Sequence, residues 1–182
     1  MKTISKFKIT AILIFICIAN IRIFAEAPPE LEKANVQFIA DSRFGKVNGT
    51  ISQVKIESID FQKKIATIKV DLSSIDTDNS SRDKHLKSED FFDVPKFPFA
   101  IFQINNLSIS DTGDGSGKAM ITIKGIKKDF DLKVKEEKKD GKLTYSGSLE
   151  INRKEFNLSY DSVINPIKDT VLVKFNVSFL VK

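Results

Sequence analysis

The chain has 182 residues, enough for one domain with a real core, and is 41% hydrophobic and 29% charged, a balance that favours neither a disordered chain nor a membrane-embedded class. The formal net charge is +5, but Lys2, Lys6, Lys8 and Arg22 all fall in the first 25 residues, and without them it is +1. Such a surface gives no argument for nucleic acid as a partner.

Residues 1–25 have the layout of a cleaved secretory signal peptide. Three lysines precede an apolar run from Ile9 to Ala19, broken only by Thr10, and a small-residue stop falls at Ala25 with Pro28 and Pro29 beyond. The run is short for a membrane span, and Arg22 interrupts it. Cys17 is the chain's single cysteine. Cleavage after Ala25 leaves a mature chain without disulfides, thiol chemistry or cysteine metal ligands. The expected location is the periplasm, with secretion as the alternative.

Residues 26–34 (EAPPELEKA) read as a flexible lead-in. Period-two alternation follows at 36–42, 47–53 and 64–72, where Ala66, Ile68, Val70 and Leu72 oppose Thr67, Lys69 and Asp71. Residues 80–88 (SSRDKHLKS) do not alternate. Asn79 or Ser80 is placed to cap a short helix, with Asp83 in its first turn. Then comes EDFFDVPKFPF (89–99), whose four Phe and two Pro predict a rigid apolar loop. Alternation resumes at 99–107, and Asp111–Gly117 (DTGDGSG) predicts a loop. Further strands are expected at 118–124, 130–135, 143–152 and 171–181, with hairpin turns at Lys124–Lys127 and Lys139–Lys142. In the last strand Val171, Val173, Phe175, Val177, Phe179 and Val181 share one face. The total is about eight antiparallel strands. Their apolar faces must meet in a sandwich or a barrel, and eight strands suffice for a barrel interior that holds one small ligand.

The motifs in the middle of the chain carry a resemblance. Asp76-Thr77, Arg82-Asp83-x-His85-Leu86, Asp90-Phe91-Phe92-Asp93, Phe97-Pro98-x-x-x-Phe102, the Lys124-Gly125-Ile126-Lys127-Lys128 turn and Arg153-x-x-Phe156 together resemble the YceI-like family over residues 35–182. The resemblance implies an all-β fold, an eight-stranded antiparallel lipocalin-like barrel with one short helix. It also implies a hydrophobic tunnel for polyisoprenoid or quinone-like lipids in the bacterial periplasm. The sequence departs from the family at Asn157, where Gly is frequent, and at Asp41-Ser42-Arg43-Phe44, where a His-Ser pair is frequent.

Candidate chemistry is sparse. His85 is the only histidine, so a zinc site lacks ligands, and no G-x-S-x-G element accompanies it. Asp83, His85 and Asp90 form the one plausible catalytic set, and the expectation is that the chain is not an enzyme and needs no cofactor or metal. For binding, Phe91, Phe92, Phe97, Phe99, Phe102, Val70, Leu132 and Phe175 are the expected apolar lining. Arg82, His85 and Arg153 are the expected polar contacts at the mouth. The expected partner is an apolar lipid, with transient contact to a membrane surface. The alternatives are a filled barrel acting as an interaction module and, less favoured, a lipid-modifying enzyme. The sequence does not fix the oligomeric state.

Overall fold

The computed structural model describes residues 29–159 and 166–181. The expected signal peptide therefore lies outside the described residues. Ten strands and one helix follow in chain order: β1 (Glu30–Ser42), β2 (Gly45–Ile51), β3 (Val54–Asp60), β4 (Ile65–Asp71), β5 (Ile75–Asp76), α1 (Ser80–Lys87), β6 (Phe99–Ile109), β7 (Asp114–Ile123), β8 (Ile126–Lys139), β9 (Lys142–Asn152) and β10 (Ile167–Leu180). All pair antiparallel in one sheet of order β3-β4-β6-β7-β8-β9-β10-β1-β2-β5.

The sheet curls until its two edges meet. β2 and β3 sit near opposite ends of that order, yet only Ser52 and Gln53 separate them in the chain. From β4 the chain crosses a single 3-10 turn, Leu72–Ser74, to β5, which pairs with β2. Asp71 N donates to Gln53 O at 2.8 Å and Gln53 N donates to Ser74 Oγ at 3.0 Å. These bonds close the corner and satisfy backbone groups that would otherwise stand at a bare edge.

Eight strands were expected, and two of the ten are additional. β5 has only two residues, too few for any alternation to register. In β3 the ladder slips between Ile56 and Ser58, and such a bulge throws the side-chain period out of step. The same cause hides the start of β1. Residues 30–34 pair with β10 instead of forming a flexible lead-in, but the register shifts between Leu31 and Lys33. The Asp111–Gly117 loop is also shorter than expected, because β7 already begins at Asp114.

Local chemistry explains the other boundaries. Lys124-Gly125 and Asp140-Gly141 all have positive φ, between 50° and 77°, the backbone of the tight hairpin turns that join twisted strands. Asn79 caps α1 by accepting from Arg82 N at 2.9 Å, and Asp83 lies in its first turn. Asn157 ends a second 3-10 turn, Arg153–Phe156, at φ 54°. That left-handed geometry suits Gly best and Asn next, which accounts for the departure from the family's frequent Gly.

Inward residues form the core. Val70, Leu72, Ile121 and Phe156 are almost fully buried, and the large cluster continues through Val36, Ile51, Ile151 and Val173. Asn157→Val is expected to lower stability by about 1–2 kcal/mol, while Asn157→Gly leaves it equal or higher. Urea midpoints of the two variants check this, and equal midpoints would remove the left-handed cap from the account.

Candidate functional site

The inward faces enclose two cavities stacked along the barrel. The wider has a volume of about 410 Å³ and the narrower about 110 Å³. Val36, Val70, Phe102 and Val173 line both, so they form the waist between two lobes. The wide lobe is bounded by α1, through Ser81, Arg82, His85 and Leu86, and by Phe91 and Phe92 of the following loop. The narrow lobe runs toward the turn between β3 and β4, where Phe61 and Lys64 line it, and toward Tyr145 and Phe179.

Strand parity makes the walls apolar. Ala66, Ile68 and Val70 of β4, Leu132 and Val134 of β8, and Val173, Phe175 and Val177 of β10 all line a lobe, and each set alternates with outward residues. Two large rings are held off the axis by a specific device. Phe38 stands directly opposite Gly49, and Phe175 opposite Gly147. A Cβ at Gly49 would lie 2.2 Å from Phe38 Cζ, and one at Gly147 would lie 2.6 Å from Phe175 Cζ. Each ring therefore lies flat over a strand that offers no side chain, and the centre stays open.

Six of the eight residues expected as apolar lining border a lobe: Val70 and Phe102 at the waist, Leu132 and Phe175 in the narrow lobe, Phe91 and Phe92 in the wide one. The other two do not. Phe99 begins β6 on the outer face, 39% exposed, with Lys69 Nζ 5.9 Å from its ring centroid. Its parity is opposite to Ala100 and Phe102, as alternation demands. Phe97 packs at the β7–β8 turn, where a Cβ on Gly125 would meet its ring at 3.3 Å.

The three expected polar contacts all border the wide lobe, but the two arginines have structural partners. Arg82 donates through Nε to Thr77 Oγ1 at 2.8 Å and through Nη2 to Thr77 O at 2.6 Å. Asp83 Oδ1 accepts from the same threonine's N and Oγ1, at 3.0 and 2.6 Å. Together they latch α1 to the end of β5. Arg153 is 3% exposed and donates to the carbonyls of Leu158, Ile167 and Lys168 and to Asp169 Oδ1, at 2.7–3.3 Å. It ties the end of β9 to the start of β10. The His85 ring meets Phe91 edge-on at a centroid distance of 6.5 Å.

Sequence reasoning passed over the waist residues Val36 and Val173, the rings Phe38 and Tyr145, and a charged pair at the narrow end. The parity of Phe38 with Val36 and Ala40 was a usable signal. Among the described residues, no group of His, Cys, Asp and Glu is arranged to hold a metal ion.

The fold and interior define a single-domain antiparallel barrel built around an apolar cavity. The model of the YceI-like domain matches residues 30–179, and the chain belongs to that family. A UPF0312 protein of Ectopseudomonas mendocina is 28% identical over 113 residues, 58% of this chain and 57% of that protein. The match thus spans little more than half of that relative's length. Among solved structures, BcnA of Burkholderia cenocepacia superposes with a TM-score of 0.71 at 21% identity, over 80% of this chain and 95% of BcnA. A polyisoprenoid-binding domain from Saccharophagus degradans, implicated in plant cell wall breakdown, superposes with a TM-score of 0.67 at 14% identity, over 85% of this chain and 98% of that one. At those identities the two structures establish the fold.

The glycine–aromatic pairs give a direct test. The three atoms nearest to a Cβ at Gly49 all belong to the Phe38 ring, at 2.2–2.8 Å, so in Gly49→Ala the ring is expected to turn into the wide lobe. Binding of an apolar fluorescent dye should fall several-fold, with a stability loss below about 2 kcal/mol. Unchanged dye binding would show that the ring does not control the cavity.

Proposed function

We propose that this protein is exported to the periplasm and there carries one long apolar lipid, a polyisoprenoid or quinone-like molecule, without transforming it. The observation that carries this reading is the pair of cavities in the barrel interior, lined largely by Val, Ile, Leu and Phe and sharing Val36, Val70, Phe102 and Val173 as a common wall. An isoprene chain has no polar groups to recognise, so apolar lining is what its recognition requires. Burying about 300 Å² of such a tail would contribute about 7 kcal/mol before association costs. The likeness to a polyisoprenoid-binding domain supports the ligand class, and the amino-terminal sequence supports export. The rival expectation of a filled interaction module fits poorly with lobes of this size. An enzymatic role has little behind it, since Asp83 is bonded to Thr77 and Arg82 to the same threonine.

Loading requires contact with a membrane, and the β1–β2 hairpin is suited to it. Ala40 and Val47 line the wide lobe, and the tip just beyond them carries Arg43 and Phe44, with Phe44 72% exposed. An exposed aromatic beside a cation favours the interface of an anionic bilayer.

Gentle purification from the native host, followed by mass spectrometry of the extract, is expected to show one equivalent of an isoprenoid or quinone lipid. Val70→Trp, which fills the waist, is expected to reduce that loading at least tenfold while the barrel stays folded by circular dichroism. No lipid in the extract and no uptake of added isoprenoids would overturn the carrier role. For the hairpin, Phe44→Ser is expected to weaken sedimentation with phosphatidylglycerol vesicles several-fold. Equal sedimentation would remove the tip from the loading step.

A further inference from the structure

The far end of the narrow lobe holds a charged pair, Lys64 and Glu136. Glu136 lies on β8 in step with Leu132 and Val134, the residues that line the lobe. Along a strand every second residue faces the same side, so Glu136 belongs to the inner face. Its Oε2 is buried and accepts no hydrogen bond from the described residues. Lys64 Nζ lies 3.6 Å from that oxygen, within ion-pair range but beyond hydrogen-bond distance. Lys64 lines the narrow lobe and sits in the β3–β4 turn at φ 55°. Tyr145, directly across the ladder from Glu136, also lines it. Its phenol is held neutral well above the usual range, first by burial, then by its hydrogen bond to the Glu136 carboxylate and that carboxylate's charge; the orphaned oxygen is Oε2.

A buried carboxylate oxygen without a donor costs free energy. Natural structures retain such groups where something else supplies the missing bond. At the wide end the arginine donors are spent on Thr77, on main-chain carbonyls and on Asp169. The narrow end has an acceptor in hand and an ammonium beside it.

We propose that the Lys64–Glu136–Tyr145 cluster is a head-group site for a hydroxyl-tipped lipid, which enters polar end first and leaves its tail across the waist. The inference rests on the carrier reading and adds the polarity and orientation of the cargo. A hydroxyl both donates and accepts. It can donate to Glu136 Oε2 while accepting from Lys64 Nζ. A phosphate monoester is mostly the dianion at neutral pH, so it is a poor donor, and it meets the Glu136 carboxylate as a like charge. A plain hydrocarbon supplies a hydrogen bond to neither group.

The test uses the purified protein stripped of lipid, with three probes competing against an apolar fluorescent dye: geranylgeraniol, the matching hydrocarbon without the hydroxyl, and geranylgeranyl monophosphate. Geranylgeraniol is expected to bind about tenfold tighter than the hydrocarbon, the effect of one hydrogen bond to a charged acceptor, and tighter than the phosphate. Glu136→Leu is expected to erase the tenfold difference between alcohol and hydrocarbon. Glu136→Gln, which keeps the shape should the leucine variant fail to fold, is expected to reduce the preference to a few-fold. Equal binding of alcohol and hydrocarbon by the unaltered protein, or tighter binding of the phosphate, overturns the head-group site and leaves the carrier role standing. Binding of none of the three overturns both.

Discussion

Main-chain hydrogen bonds hold neighbouring strands about 4.8 Å apart, and in a sheet that curls onto itself this spacing sets the girth of the interior. The corner where Gln53 bonds to Asp71 and Ser74 brings the two edges together. Side chains then have to fill whatever radius the ladder imposes. Here much of what faces inward is Ala, Val and Ile, with Phe38 and Phe175 laid over glycines. The volume supplied falls short of the volume enclosed. An unfilled apolar interior normally lowers stability, because its lining loses contacts on one side, and a bound apolar chain restores them. An apolar cavity and an apolar ligand that fills it are in that sense two aspects of one packing problem.

The polar groups of the barrel are distributed to suit. Arg153 is buried, and it joins two strand ends by donating to main-chain carbonyls. Arg82 and Asp83 converge on Thr77, itself 3% exposed, and fix the short helix over the wide lobe. These contacts use the arginines' donors within the framework around the wide lobe. Glu136 and Lys64 depart from that economy, and their place at the end of the lobe gives the interior a direction.

Strand parity carried most of the information that the sequence revealed. β4, β9, β10 and the first half of β6, before its ladder slips between Asn105 and Ser108, keep their parity, so Val70, Phe102 and Phe175 could be assigned inward from the string. Parity fails where the ladder slips, which is why β3 and the first residues of β1 escaped notice. It also fails at loop-to-strand boundaries. Phe97 and Phe99 share composition with Phe91 and Phe92, but only tertiary placement separates the pair that covers the wide lobe from the pair that does not.

Composition and alternation by themselves determined an all-β chain with apolar inner faces and a single short helix, since period and turn chemistry are local properties of the backbone. Whether those faces close on a filled or a hollow centre was decided only by the tertiary structure. A tunnel wall and a solid core use the same residues, and the difference lies in the radius that distant strands set together. The same holds for the charged pair at the narrow end. Lys64 and Glu136 are 3.6 Å apart in space but far apart in the chain, and no local pattern links them.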